Sequence, residues 1–305
     1  MSASLRIGSF AAVLAALFAA AVLLGGAVDP DVDVKDNEHE GASDMTTMAT
    51  PGDEAGHADE GGHAGDTSAP APGLAVASGG LRLVAERSSL PAAPAADFSF
   101  RILGSDGEAV TAFDTEHERD MHLIAVRRDF TGFQHLHPRM APDGTWSAPI
   151  DTSRPGTYRV FADFSTGGES MTLGTDLEVA GDFRPDPLPT PAATASAGGG
   201  YEVRVDAGHP HAGEEARTEF TIARDGERLA GVEPYLGAAG HLVALRAGDL
   251  AFLHTHPIGT PDDADPIAFD VAYPSAGSYR LFLQFRHAGA VRTAAFTVEV
   301  EESHG

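Results

Sequence analysis

The 305-residue chain has no cysteine, which excludes disulfides, iron–sulfur clusters and thiolate metal sites together. A blue-copper centre needs a cysteine sulfur beside its histidines, so electron transfer of that kind is excluded as well. Basic residues are scarce. Against 20 Lys and Arg stand 45 Asp and Glu, giving a formal net charge of −25 and a pI near 4.7. Nucleic-acid-binding domains carry the opposite balance, so no nucleic-acid partner is expected. The acidic surplus fits high solubility or an affinity for cations. Beyond the first residues there is no 3.6-residue apolar period, so the folded part is not expected to be helical.

The longest apolar run comes first. Arg6 is the only charge before a stretch from Ile7 to Val28 that is rich in Ala, Leu and Val. One positive residue, an apolar core and small residues at Gly25 and Ala27 suit a secretory signal. Uncut, the run is also long enough to span a bilayer. Residues 1–28 are therefore expected to be a signal peptide or a membrane anchor. Either way the remainder lies outside the cytoplasm, secreted or held to the cell membrane by this N-terminal helix. Residues 29–73 are low in complexity and acidic, with a lone Lys35 and scattered His39, His57, His63, Met45 and Met48. Too few large apolar side chains are present to form a core, so a disordered tether is expected. Such a tether can collect Cu²⁺ or Zn²⁺ weakly through imidazole and carboxylate.

From Leu81 onward, short runs of branched and aromatic residues alternate with Gly, Pro and Asp turns. Phe98 to Leu103, Met121 to Arg127 and Tyr158 to Phe164 are examples. This texture predicts an antiparallel sandwich. It recurs after Tyr201, and the landmarks of the two halves align, so the fold class is all-β with two tandem immunoglobulin-like sandwiches. Their expected bounds are 74–182 and 201–301, separated by a Pro/Ala/Gly linker at 183–200 and followed by a tail at 302–305. In Gly156-Thr157-Tyr158-Arg159 and Gly277-Ser278-Tyr279-Arg280 the tyrosine follows a glycine turn. That placement suits a tyrosine corner, whose hydroxyl bonds back to the backbone.

Each half also writes the same histidine pattern. His122 is followed by His135 and His137, and His241 by His254 and His256. Residues two apart on a strand share a face. On an unbulged hairpin the spacing would set His122 opposite His135, and His241 opposite His254, on that same face. Three imidazoles would then converge in each repeat, close enough to hold one transition-metal ion. Weaker candidates for a further ligand are Met121, Asp163, Met171 and His287, with Gln284 standing where Asp163 stands in the first half. Taken singly, any of these histidines is ordinarily a hydrogen-bonded core residue or the polar end of a strand.

The segments Asp120-Met121-His122-Leu123-Ile124 through His135-Leu136-His137-Pro138, and Gly240-His241-Leu242-Val243 through His254-Thr255-His256-Pro257, carry a resemblance. They are similar to those of a family of exported bacterial proteins, some labelled heavy-metal-binding or copper-associated. The resemblance implies immunoglobulin-like or cupredoxin-like sandwiches and a link to copper handling.

The expectation is thus an exported protein that sequesters or delivers a metal ion, copper first and zinc second, through a three-histidine cluster in each domain. It is not expected to be an enzyme. A metal-free extracellular structural or adhesion module is the alternative. A zinc-dependent hydrolase is the second alternative, since three histidines with an open position also describe catalytic zinc.

Overall fold

The computed structural model describes residues 71–253, 255–260 and 266–303. The leader, the acidic segment as far as residue 70, His254 and His304 lie outside the described residues. Among the described residues there is no helix long and apolar enough to cross a membrane.

Strands build the rest. The first repeat contains β1 (Ala77–Ser78), β2 (Leu81–Ala85), β3 (Ser89–Leu90), β4 (Ala96–Leu103) and β5 (His122–Arg127). It continues with β6 (Gln134–Leu136), β7 (Arg139–Met140), β8 (Trp146–Ile150), β9 (Gly156–Thr166) and β10 (Glu169–Val179). The second contains β11 (Thr194–Gly198), β12 (Tyr201–Asp206), β13 (Glu214–Arg224), β14 (Glu227–Arg228) and β15 (His241–Arg246). Its remaining strands are β16 (Phe252–Leu253), β17 (Thr255–Ile258), β18 (Ile267–Tyr273), β19 (Gly277–His287) and β20 (Ala290–Val300). Strand β11 falls inside the stretch expected to be linker: its alternating small residues pair with β12, so the second sandwich starts earlier than its first large apolar residue suggests.

Each repeat is a sandwich of two sheets. The first has the order β1-β2-β4-β8-β7 on one side and β3-β10-β9-β5-β6 on the other. The second has β11-β12-β13-β18-β17 facing β16-β15-β19-β20. All ladders are antiparallel except the short β3–β10 pair. Alternation supplies the cores. In β4, Ala96, Phe98, Phe100 and Ile102 point inward, and in β12 Tyr201, Val203 and Val205 do the same. Both tyrosine corners form. The Tyr158 hydroxyl donates to the Arg154 carbonyl at 2.9 Å, and Tyr279 to that of Ser275 at 2.8 Å.

Strands β5 and β9 break the alternation. All of β5 is buried, and β9 is buried from Tyr158 to Ala162, because a third apolar core covers the outer face of their sheet. Ile124, Val126, Phe130 and Phe161 of the first repeat meet Val243, Leu245, Leu250, Phe252 and Phe282 of the second. The contact is reciprocal. Phe133 stacks on Phe282 with ring centres 4.1 Å apart, and Phe252, which occupies the place of Phe133, lies 5.5 Å from Phe161, which occupies the place of Phe282. Such two-way pairing is the mark of a twofold-related interface, here formed within one chain by its own duplication.

The segment just before β1 straps the two repeats together. The Pro72 carbonyl accepts from the Phe252 amide at 2.9 Å, while the Gly73 amide donates to Thr172 at 3.0 Å. Arg159 donates to the carbonyls of Gly73 and Leu74 at 2.6 and 2.8 Å. A side chain at Gly73, whose φ is +73°, would collide with Phe161 and Phe252.

Candidate metal centre

The hairpin β5–β6 carries the histidines, but in a different register from the one expected. Ile124 faces His135 and Leu123 faces Leu136, which sets His137 rather than His135 across from His122. A turn one residue longer than expected and a bulge explain the shift, one residue each. Near the turn the Arg127 amide donates to the Thr131 carbonyl, whereas two residues back Ala125 pairs with Gln134. One extra residue at Gly132-Phe133 moves the return strand along. The three side chains still share a face, because His122, Ile124 and their partners stand on one side of the pleat.

The rings converge. One nitrogen from each of His122, His135 and His137 lies within 4.8 Å of the others. Ring centres are 5.1 Å apart for His122–His135, 5.2 Å for His122–His137 and 5.0 Å for His135–His137. Three imidazoles sharing one tetrahedral ion, each at 2.0–2.1 Å, would have ring centres roughly 5.2 Å apart. The rings already sit at that spacing.

Their hydrogen bonds bear on which nitrogens are free. His122 Nε2 lies 3.2 Å from the Glu116 carbonyl, which can only accept. In the tautomer that donates there, Nδ1 is left without a proton. His135 Nδ1 lies 2.7 Å from Gln284 Oε1, and in the tautomer that donates to it His135 Nε2 is likewise without one. The two nitrogens lie 2.9 Å apart, where a proton on either one makes a hydrogen bond between them. His137 Nε2 is buried with no hydrogen-bond partner. Protonation is not the easy remedy. Burial, reinforced by the charge His122 would carry, pushes the His135 pKa down to about 3. Burial and the same neighbour push His137 down to about 4. His122 is lowered by burial as well. Neutral imidazoles with converging lone pairs are what a metal ion requires, and acceptors on the opposite ring nitrogens are its usual second layer of support.

The second repeat brings His241 and Gln284 up to this cluster. His241, the counterpart of His122, lies nearly parallel to it at 5.4 Å and 4.7 Å from His135; burial holds its pKa well below the ordinary value. Gln284, on β19 directly across from His241, reaches over to the first repeat's His135. Of the cluster expected in the second repeat, His254 lies outside the described residues, and His241 stands beside the first repeat's triad, because the two histidine-bearing sheets face each other. His256 does not join the triad. After Leu253 the chain crosses to the other sheet, where His256 is exposed on β17 and pairs with Asp270.

The weaker candidates divide. Asp163 is the cross-strand neighbour of His122, and its charge partly offsets the burial that lowers that histidine; it accepts from the Thr172 hydroxyl at 2.6 Å. Met121 is instead buried in the core of the first sandwich, because it neighbours His122 in sequence and so takes the opposite face. Met171 pairs with Phe164 and leans on the same core. His287 is held by the Tyr201 hydroxyl at 2.7 Å, away from the cluster. His117 was missed. It sits on a tight turn, its ring centre 6.1 Å from that of His122 and 5.5 Å from that of His241. A cleft of about 670 Å³ opens beside the cluster, with His117, His122, His241, His256, Asp163 and Glu116 among its walls.

Compared with known protein families, residues 76–181 and 194–302 each match the one described as Domain of unknown function (DUF8832). The chain belongs to that family. It holds two tandem DUF8832 repeats, in line with the two sandwiches. No curated protein matches the sequence. Among solved structures, the bacterial integrin-binding protein invasin aligns at 14% identity and a TM-score of 0.25, over 75% of this chain and 41% of that one. The Escherichia coli adhesin FdeC aligns at 14% identity and a TM-score of 0.25, over 75% and 66%. The BSP domain of a biofilm-associated protein aligns at 13% identity and a TM-score of 0.22, over 74% and 30%. The DUF8832 chain therefore spans less than two thirds of each of these, and superpositions this loose carry no argument about what it does.

Proposed function

We propose that this is an exported metal-binding protein whose two repeats share a single transition-metal site. His122, His135 and His137 are its ligands, and His241 of the second repeat is placed to close the coordination. The observation that carries this reading is the convergence of His122 Nδ1 and His135 Nε2, 2.9 Å apart, with the partnerless His137 Nε2 beside them. A metal ion between those nitrogens would satisfy both, as would a single shared proton. A tetrahedral ion would open the nitrogen spacing only slightly, to roughly 3.3 Å.

The donor set speaks to the metal. With Met121 and Met171 turned into the core, thioether sulfur is removed from the site and imidazole nitrogen remains. That set suits Cu²⁺ or Zn²⁺ better than Cu⁺. Sequestration or delivery of such an ion is the role we assign. Export rests on Arg6 and the apolar run that follows it, with the acidic tether leading from that run to the strap at Pro72 and Gly73.

The test is metal stoichiometry of the purified full chain by elemental analysis, after loading with Cu²⁺ or Zn²⁺ and desalting. One tightly held ion per chain is expected, lost when His122, His135 and His137 are all changed to Ala. No stoichiometric metal would overturn the reading and leave the metal-free surface module. In that case a proton shared between His122 and His135 would hold the junction together instead. Two equal sites per chain would also overturn the shared arrangement.

A further inference from the structure

The cleft beside the cluster raises the question of how an ion gets in. Within the triad only His122 lines it, so a cation that comes through this cleft meets His122 first. At the mouth stands His117, exposed, at ring-centre distances of 6.1 Å from His122 and 5.5 Å from His241. Two imidazoles that share one ion have ring centres roughly 5–6.5 Å apart, depending on the angle at the metal. His117 is thus within sharing distance of the inner rings, yet outside the set whose nitrogens all converge.

Its backbone is held for the purpose. His117 and Glu118 have φ of +48° and +62° in a two-residue turn closed by the Glu116–Arg119 bridge. Both central residues at positive φ is the type I′ pattern, which ordinarily takes Asn or Gly. The second repeat has the matching turn at Tyr235–Ala238, with Leu236 and Gly237 at +54° and +76°. There the residue in the place of His117 is Leu236, only 4% exposed. One repeat uses the position to seal, and the other turns an imidazole to the water. The neighbouring carboxylates of Asp163 and Glu116 give the cleft a pull on cations, opposed by Arg119 alone among the named walls.

We infer that His117 is a relay ligand. It takes the incoming cation at the mouth of the cleft and passes it to His122, and takes the same ion on its way out. The inference rests on the metal site proposed above. Because a transit ligand lowers the barrier in both directions equally, His117 sets how fast the ion exchanges and leaves the affinity alone.

The variant that isolates this is His117→Gly in the full chain, since Gly occupies positive φ without strain and keeps the turn. Stopped-flow capture of Cu²⁺, followed by release to a fluorescent copper chelator, gives both rates. Capture and release should each slow by about tenfold, within the range that association rates of closely related complexes span, with the dissociation constant unchanged. Unchanged rates would overturn the relay. So would a weakened affinity with faster release, which would make His117 a resident ligand. If the native chain captures no Cu²⁺ at all, the metal site itself has failed, and that result is seen before the variant is made.

Discussion

The two repeats carry the same histidine spacing and put it to different use. In the first, the return strand stays beside β5 through Leu136 and delivers His135 and His137 to the His122 face. In the second, the described pairing with β15 runs as far as Leu253, and by Thr255 the chain already belongs to the opposite sheet. The Thr255 hydroxyl still reaches back, to the Leu242 carbonyl at 2.8 Å. The turns differ too. The first hairpin closes tightly, with Arg127 bonded to Thr131, and spends its extra residue in the bulge at Gly132-Phe133. The second closes one residue later, with Arg246 bonded to Ala251 at 2.9 Å, and needs no bulge. Duplication has therefore preserved the face-to-face contact, in which Phe133–Phe282 and Phe252–Phe161 answer each other. Among the described residues the histidine cluster is one-sided, with three converging imidazoles from one repeat and His241 and Gln284 from the other.

The largest effect is expected where the repeats are still alike. Phe161→Ala and Phe282→Ala each remove a buried ring from the shared core, and each should cost about 3–5 kcal/mol, read from urea denaturation of the metal-free chain. A loss below about 1 kcal/mol in either would mean that the repeats do not rely on this contact.

Acid should reveal the unlike half. His135 and His137 are held neutral in the folded chain, with pKa values of about 3 and about 4 against an ordinary 6.5. As pH falls below 6.5 the unfolded chain takes up protons that these two sites refuse, so folding stability falls with pH; above 6.5 neither state takes them up and nothing is lost. The slope approaches about 1.4 kcal/mol per pH unit for each such histidine, until the folded values are reached. Thermal unfolding of the chelator-treated protein across this window should show it, and His137→Phe should flatten the slope. An unchanged slope would mean that His137 protonates freely in the folded state.

How much of this the sequence disclosed can be judged residue by residue. The sandwiches, the duplication and the tyrosine corners were legible, because strand alternation and Gly-x-Tyr turns are local signals. The convergence of His122, His135 and His137 was legible as a shared face, although the register was off by two, since neither turn length nor a bulge leaves a mark in spacing. The junction between repeats was missed, and here a signal existed. Leu123 to Val126 and Leu242 to Leu245 are unbroken apolar runs, buried throughout, whereas a strand with one wet face alternates. Reading them as covered on both sides would have placed a second apolar partner against each. His117 had no such signal, because its role depends on a turn at positive φ facing a sheet from the other repeat.

Ligand substitutions separate the repeats next. His135→Ala takes a nitrogen from the centre and should weaken Cu²⁺ or Zn²⁺ binding by on the order of 100-fold, the upper end of what even supporting residues cost. His256→Ala, at the second repeat's counterpart of His137, should change affinity less than about twofold, because it is exposed on the other sheet. Competition titration with a calibrated chelator measures both. Equal losses would restore the idea of one site per repeat.

The finest distinction lies in Gln284 and Asp163, which occupy matching places. Each stands directly across from a repeat's first histidine, and each is near a threonine hydroxyl on the next strand, Thr293 for Gln284 and Thr172 for Asp163. Gln284 is bonded across the junction, accepting from His135 Nδ1 at 2.7 Å. Gln284→Leu removes that acceptor while roughly keeping the volume, so nothing then fixes the His135 proton on Nδ1. The ring can move the proton to Nε2, the nitrogen the metal needs. Affinity should fall by about tenfold, the low end for loss of a supporting partner. Gln284→Glu should restore it, because a carboxylate accepts the same hydrogen bond and raises the basicity of the ring. Restoration by Glu and not by Leu would show that the second repeat acts on the metal through one hydrogen bond. Equal losses for both would mean that the shape of the junction alone matters.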